Sequence, residues 1–107
     1  MRDKRIMVNG VPVTLNGRSD AAIEADINNG LRYKYEARIL NSHVRRLLEA
    51  GEDNTTKWSD DWADPHYESV FALTPRQAIN QIHNRFPEDE GFVITDIVEL
   101  DESKPGI

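Results

Sequence analysis

The 107-residue chain contains no cysteine, so neither a disulfide framework nor a thiolate metal site can form, and the redox compartment is left open. No apolar run approaches the roughly 18 residues of a membrane-spanning helix. The segment after Met1-Arg2-Asp3-Lys4-Arg5 is too short in apolar residues for a secretory signal. The expectation is a soluble, cytoplasmic protein without a membrane partner. Signatures of chemistry are missing as well. There is no glycine-rich phosphate loop, no H-E-x-x-H, no G-x-S-x-G elbow and no EF-hand spacing. Internal repeats and low-complexity tracts are also absent. On this reading the protein is not an enzyme: it names no catalytic residue and no cofactor.

What the chain does have is charge, unevenly placed. The formal net charge is −6. Residues 1–56 carry nine Lys/Arg against eight Asp/Glu, whereas residues 57–107 carry four against eleven. The acidic excess falls in three clusters: Asp60, Asp61, Asp64 and Glu68; Glu88, Asp89 and Glu90; and Asp96, Glu99, Asp101 and Glu102. Such asymmetry suits a basic partner or electrostatic steering. The plain alternative is a solvated, solubilising surface.

The stretch from Ser69 to Leu100 predicts a strand, a capped helix and a second strand. Thr74 stands at an N-cap with Gln77 three residues on, a capping-box spacing. Pro75 takes the first helical position, where a missing N–H costs nothing. Ala78, Ile79, Ile82 and Phe86 recur at three- and four-residue steps and predict one buried stripe, and Pro87 ends the helix. Tyr67 to Leu73 reads as the strand before it and Phe92 to Leu100 as the strand after. In the latter, Phe92, Ile94, Val98 and Leu100 share a parity that Asp96 interrupts. Either both faces are partly covered or a β-bulge near Asp96 resets the alternation. The two strands either pair in parallel, with a right-handed crossover, or each pairs with a different neighbour.

Earlier in the chain, Asn9-Gly10 between two apolar runs signals a type I′ hairpin over 5–15. Pro12 puts that hairpin at a sheet edge or ends its pairing early. A helix is expected from Ser19 or Asp20 to about Ile27, stopped by Asn28-Asn29-Gly30. Leu31 to Leu40 alternates, with Tyr33, Tyr35, Ala37 and Ile39 on one face and Arg32, Lys34, Glu36 and Arg38 on a wet, basic one. Asn41 or Ser42 begins another helix to Ala50, in which Val44, Leu47 and Leu48 supply the buried stripe. Residues 52–66 form a long polar loop holding both tryptophans, a length that in compact domains marks function or disorder. Residues 67–100 are the strand–helix–strand unit, and 101–107 reads as a flexible tail. The whole predicts one α+β domain over 1–107, an antiparallel or mixed sheet of about four or five strands with three helices mainly on one side, in the order β-β-α-β-α-loop-β-α-β.

Three candidate sites follow. The first is a partner-binding surface of Trp58, Asp60, Asp61, Trp62, Asp64 and Glu68 with Glu88, Asp89 and Glu90, because exposed indoles supply contact area and carboxylates orient Arg or Lys. The same loop has two other readings: a solvated acidic segment anchored by buried tryptophans, or a metal-dependent hydrolase in which Asp60, Asp61, Asp64 and His66 hold a hard cation. The second is acid–base chemistry at His43, His66 or His83. Ser42 and His43 are helical neighbours whose side chains point apart, so they are no dyad. The third is nucleic-acid recognition by Arg32, Lys34 and Arg38 with Arg76, Asn80 and Arg85, which the acidic total opposes. The functional expectation is a non-enzymatic acidic protein that occupies a basic, possible nucleic-acid-binding surface of a partner protein. Small phage-encoded anti-defence inhibitors of the anti-CRISPR type are the analogy, drawn from size, acidity and the lack of a catalytic motif.

Overall fold

A computed structural model describes residues 4–15 and 30–105. Asn9 and Gly10 take φ of 52° and 79°, the positive pair a type I′ turn demands. They join β1 (Lys4–Val8) to β2 (Val11–Leu15) as an antiparallel hairpin. Met7 and Pro12 face each other one step from the turn, a pair that exchanges no hydrogen bonds, so the missing N–H of Pro12 points away from β1. On that side β2 runs parallel to β5 (Phe92–Pro105) through Val13↔Ile97 and Thr14↔Val98 alone. The hairpin sits at a sheet edge with β1 outermost, and the short inward pairing of β2 is a consequence of the proline.

The sheet has five strands in the order β1-β2-β5-β3-β4. β3 (Leu31–Asn41) lies between β5 and β4 (His66–Ala72) and is antiparallel to both. The two strands joined by the capped helix thus flank β3 instead of pairing with each other. Two α-helices occur among the described residues: α1 (Ser42–Glu49) and α2 (Pro75–Arg85). The helix expected near residues 20–27 lies outside the described residues. Neither described helix is long and apolar enough to cross a membrane.

Thr74 caps α2 by accepting from the Gln77 N–H at 3.1 Å. The Gln77 side-chain oxygen Oε1 reaches back to accept from the N–H of Leu73 at 2.7 Å, one residue before the position a strict capping box would serve. Ala78, Ile79, Ile82 and Phe86 are buried against the inner sheet face, where Val13, Tyr35, Ala37, Ile39, Ala72 and Ile97 complete the core.

The register of β5 resolves its irregular pattern. Arg38 pairs with Asp96 but Ile39 pairs with Ile94, so Thr95 is an extra residue and the side chains change face beside Asp96. Phe92 and Ile94 point inward before the bulge, Ile97 and Glu99 after it. Val98 is consequently exposed. Glu99, assigned from sequence to a surface acidic cluster, is buried and accepts a 2.9 Å hydrogen bond from the Tyr35 hydroxyl directly across the sheet. Two further expectations are corrected. Residues 101–105 are not a loose tail: β5 continues to Pro105, where Ser103, Lys104 and Pro105 supply ladder partners for Tyr33, Arg32 and Leu31. Leu48 is not in the buried stripe of α1 but is exposed, because this short helix packs against the turn at Asp60–Ala63 and buries only Val44.

Candidate functional site

Loop 52–66 is organised by its indoles. Trp58 meets Phe92 edge-on at 4.6 Å between ring centroids, and Trp62 packs on Phe86 and Phe92 at 5.1 and 5.2 Å. His66 stacks on Trp62 at 4.1 Å. Phe86 is the residue at which α2 ends and Phe92 the residue at which β5 begins, so the loop is clamped to both ends of the intervening turn. Neither indole belongs to the exposed large hydrophobics. Both are half-buried where the sequence reading takes them as exposed, and the rings anchor the loop on the core, as aromatic edge-to-face contacts do.

This aromatic knot brings two acidic segments together. A 3-10 turn at Asp60–Ala63 carries the first pair of carboxylates, and a second at Glu88–Glu90 carries the others. Lys57, earlier in the loop, reaches the second, its Nζ 2.9 Å from Glu90 Oε1, and the Trp58 indole N–H donates to the same oxygen at 3.3 Å. The Lys57 hydrogen bond is the main reason the Glu90 carboxyl is held below the ordinary glutamate range; partial burial opposes it, and the Lys57 charge and Trp58 N–H assist.

The nine residues expected to bind a partner divide accordingly. Glu90 is committed to Lys57, and Glu68 to Arg85 at 2.8 Å. Asp60 accepts from Asn54 at 2.8 Å yet stays exposed, and Asp61, Asp64, Glu88 and Asp89 are exposed too. The third acidic cluster is dispersed, with Asp96 opposite Arg38 on the outer sheet face and Glu99 in the core.

The metal reading of the loop finds no support in its geometry. Among the described residues no three His, Asp or Glu side chains converge on a point that could hold an ion. Nε2 of His66 is engaged with the Asp61 carbonyl at 2.9 Å.

The residues expected to contact nucleic acid do not form one surface. Arg32, Lys34 and Arg38 alternate with the buried residues of β3 and so lie on the outer sheet face, where Arg38 donates to Thr95 Oγ1 at 3.1 Å. Arg76, Asn80 and Arg85 belong to α2, which packs on the inner face.

A feature invisible in the sequence is a cleft of about 510 Å³ between the N-terminus of α1 and the side of α2. Ser42 and His43 line one wall, Asn80 and His83 the other, and the Asn9-Gly10 turn, Glu88 and the start of β5 close it. Its back is a tight junction. Gly91 has φ of 103°, and a Cβ there would fall 2.6 Å from Asn41 Oδ1 and 2.6 Å from His43 Cγ. The fully buried Asn41 accepts from the N–H groups of His43 and Val44 and donates to the Glu90 carbonyl, while Ser42 donates through both N–H and hydroxyl to the Gly91 carbonyl. Sequence separation hid this site: His43 and His83 come to line one cleft because β3 runs straight into α1 and the Glu88–Gly91 turn folds back upon it.

No family model matches this chain, and searches of curated proteins and of solved structures found no match either.

Proposed function

We propose that the protein is a non-enzymatic binding protein that sets its acidic end against a basic surface of a partner protein. The observation that carries this reading is the Lys57–Glu90–Trp58 junction, which ties the loop carrying Asp60, Asp61 and Asp64 to the Glu88–Glu90 turn. Five carboxylates, on Asp60, Asp61, Asp64, Glu88 and Asp89, are exposed on segments that the Trp62 contacts with Phe86 and Phe92 anchor to the core. Preorganised charge of one sign speeds encounter with an oppositely charged surface and suppresses wrong partners. The finer form is an inhibitor that occupies a nucleic-acid-binding groove, its carboxylates standing where phosphates would.

The test is capture of partners from lysate by wild-type protein and by an Asp60→Ala, Asp61→Ala, Asp64→Ala, Asp89→Ala variant, at low and high salt. Basic nucleic-acid-binding proteins should be retained by wild type at low salt, be displaced by added nucleic acid and be lost with the variant. Capture that is indifferent to salt and to the four substitutions would sink the reading.

A further inference from the structure

We propose that the cleft between α1 and α2 receives an arginine side chain of the basic partner, with Glu88 and Nε2 of His83 as its acceptors. This deepens the acidic-end reading and rests on it.

The argument begins with the tautomer of His83. Its Nδ1 lies 3.1 Å from the Phe86 carbonyl oxygen, and a carbonyl can only accept, so the ring proton sits on Nδ1. In the neutral imidazole Nε2 then carries a lone pair and no hydrogen. That atom is 3.9 Å from Glu88 Oε2, beyond hydrogen-bond range. Neither acceptor satisfies the other, and both residues line the same cleft. The Asn80 side chain adds a third polar group on that wall, while Ile79, Phe92 and Ile94 give the cleft an apolar lining.

An aliphatic stem ending in a fork of donors fits this arrangement. The stem lies along the apolar lining, and the guanidinium spans two acceptors set apart, which a compact ammonium cannot do as well. The volume falls within the range of about 300–1,000 Å³ usual for ligand clefts. Charge decides the sign of the occupant. Among the described residues no lysine or arginine lines the cleft, and Glu88 is the only formal charge there when the histidines are neutral. An anion is disfavoured further because the first amides of α1 are already spent, that of Ser42 on the Gly91 carbonyl and those of His43 and Val44 on Asn41.

The experiment is a titration of the ¹⁵N-labelled full chain with N-acetyl-arginine amide, its neutral citrulline counterpart and N-acetyl-lysine amide, repeated with Glu88→Gln. Glu88 is exposed, so that substitution leaves the fold intact, which an unchanged spectrum outside the cleft verifies. The arginine probe should shift the amides of Asn80, His83 and Gly91, and Glu88→Gln should weaken its binding about tenfold. Equal shifts from the citrulline or lysine probe overturn the assignment of a guanidinium site. Shifts confined to Asp60, Asp61 and Asp64 overturn the cleft and leave the acidic-end reading standing. Silence everywhere with the arginine probe, together with salt-indifferent capture in the lysate experiment, overturns both.

Discussion

Gly91→Ala tests how firmly the acidic turn is locked to the N-terminus of α1. The added Cβ would lie 2.6 Å from Asn41 Oδ1 and 2.6 Å from His43 Cγ. Asn41 cannot step aside cheaply, since it is fully buried and its Oδ1 holds two helix amides. Holding a non-glycine residue at φ of 103° costs about 1–2 kcal/mol. Displacing the cap costs about 1 kcal/mol more, and an amide left unpaired in the interior adds about 1–3 kcal/mol. The expected loss is therefore about 3–6 kcal/mol, a large share of the roughly 5–15 kcal/mol by which small domains are stable. Gly51 is the matched control, with φ of 71° and nothing within 4 Å of a Cβ, so Gly51→Ala should lose only the backbone share of about 1–2 kcal/mol. Urea unfolding followed by circular dichroism, with unchanged m-values, gives both numbers. Equal losses in the two variants would refute the steric argument and with it the account of the junction.

Tyr35→Phe removes the hydroxyl that donates to buried Glu99 and should lower stability by about 1.5–3 kcal/mol in the same unfolding experiment; a change within error would mean that Glu99 is satisfied without it. Thr74→Ala deletes the α2 cap and should cost about 1 kcal/mol, readable as a lower urea midpoint. Because the folded-state pKa of Glu90 is depressed chiefly by Lys57, its contribution is present above the ordinary glutamate range and is lost as pH falls through the lowered value. Lys57→Met should accordingly shift the acid-unfolding midpoint to higher pH, and an unshifted midpoint would count against the pairing.

The sequence was most legible where a local rule has a single structural solution. Asn9-Gly10 admits one tight hairpin, and Thr74-Pro75 with the Ala78-Ile79-Ile82-Phe86 stripe admits one helix on one face. The bulge beside Asp96 showed as a break in alternation, although only the pairing with β3 reveals that Thr95 is the extra residue and that Glu99 turns inward. Loop 52–66 was ambiguous because polar composition with two tryptophans fits an exposed contact surface and an anchored loop equally well. Only Phe86 and Phe92, distant in sequence, decide for the anchored one. The cleft was illegible for the same reason. His43, His83 and Glu88 carry no spacing signature, and what joins them is a carbonyl-rich turn docking on a helix start.

The Glu88–Gly91 turn is held from two directions, and this bears on how the two proposed contacts relate. On one side Lys57 and Trp58 grip the Glu90 carboxylate; on the other Asn41 and Ser42 bind the carbonyls of Glu90 and Gly91. Glu88 stands at the start of that turn and lines the cleft, while Asp89 beside it is exposed with the acidic end. A partner that placed a guanidinium against Glu88 would therefore rest on the same turn that fixes Glu90 to loop 52–66. Loosening that turn from the loop side, by Trp58→Phe, removes the indole donor while keeping an aromatic ring against Phe92. If the turn is one rigid unit, this change weakens arginine binding in the cleft although Trp58 does not line it. If the two sides are independent, arginine binding is unchanged, and the acidic end and the cleft act as separate contacts.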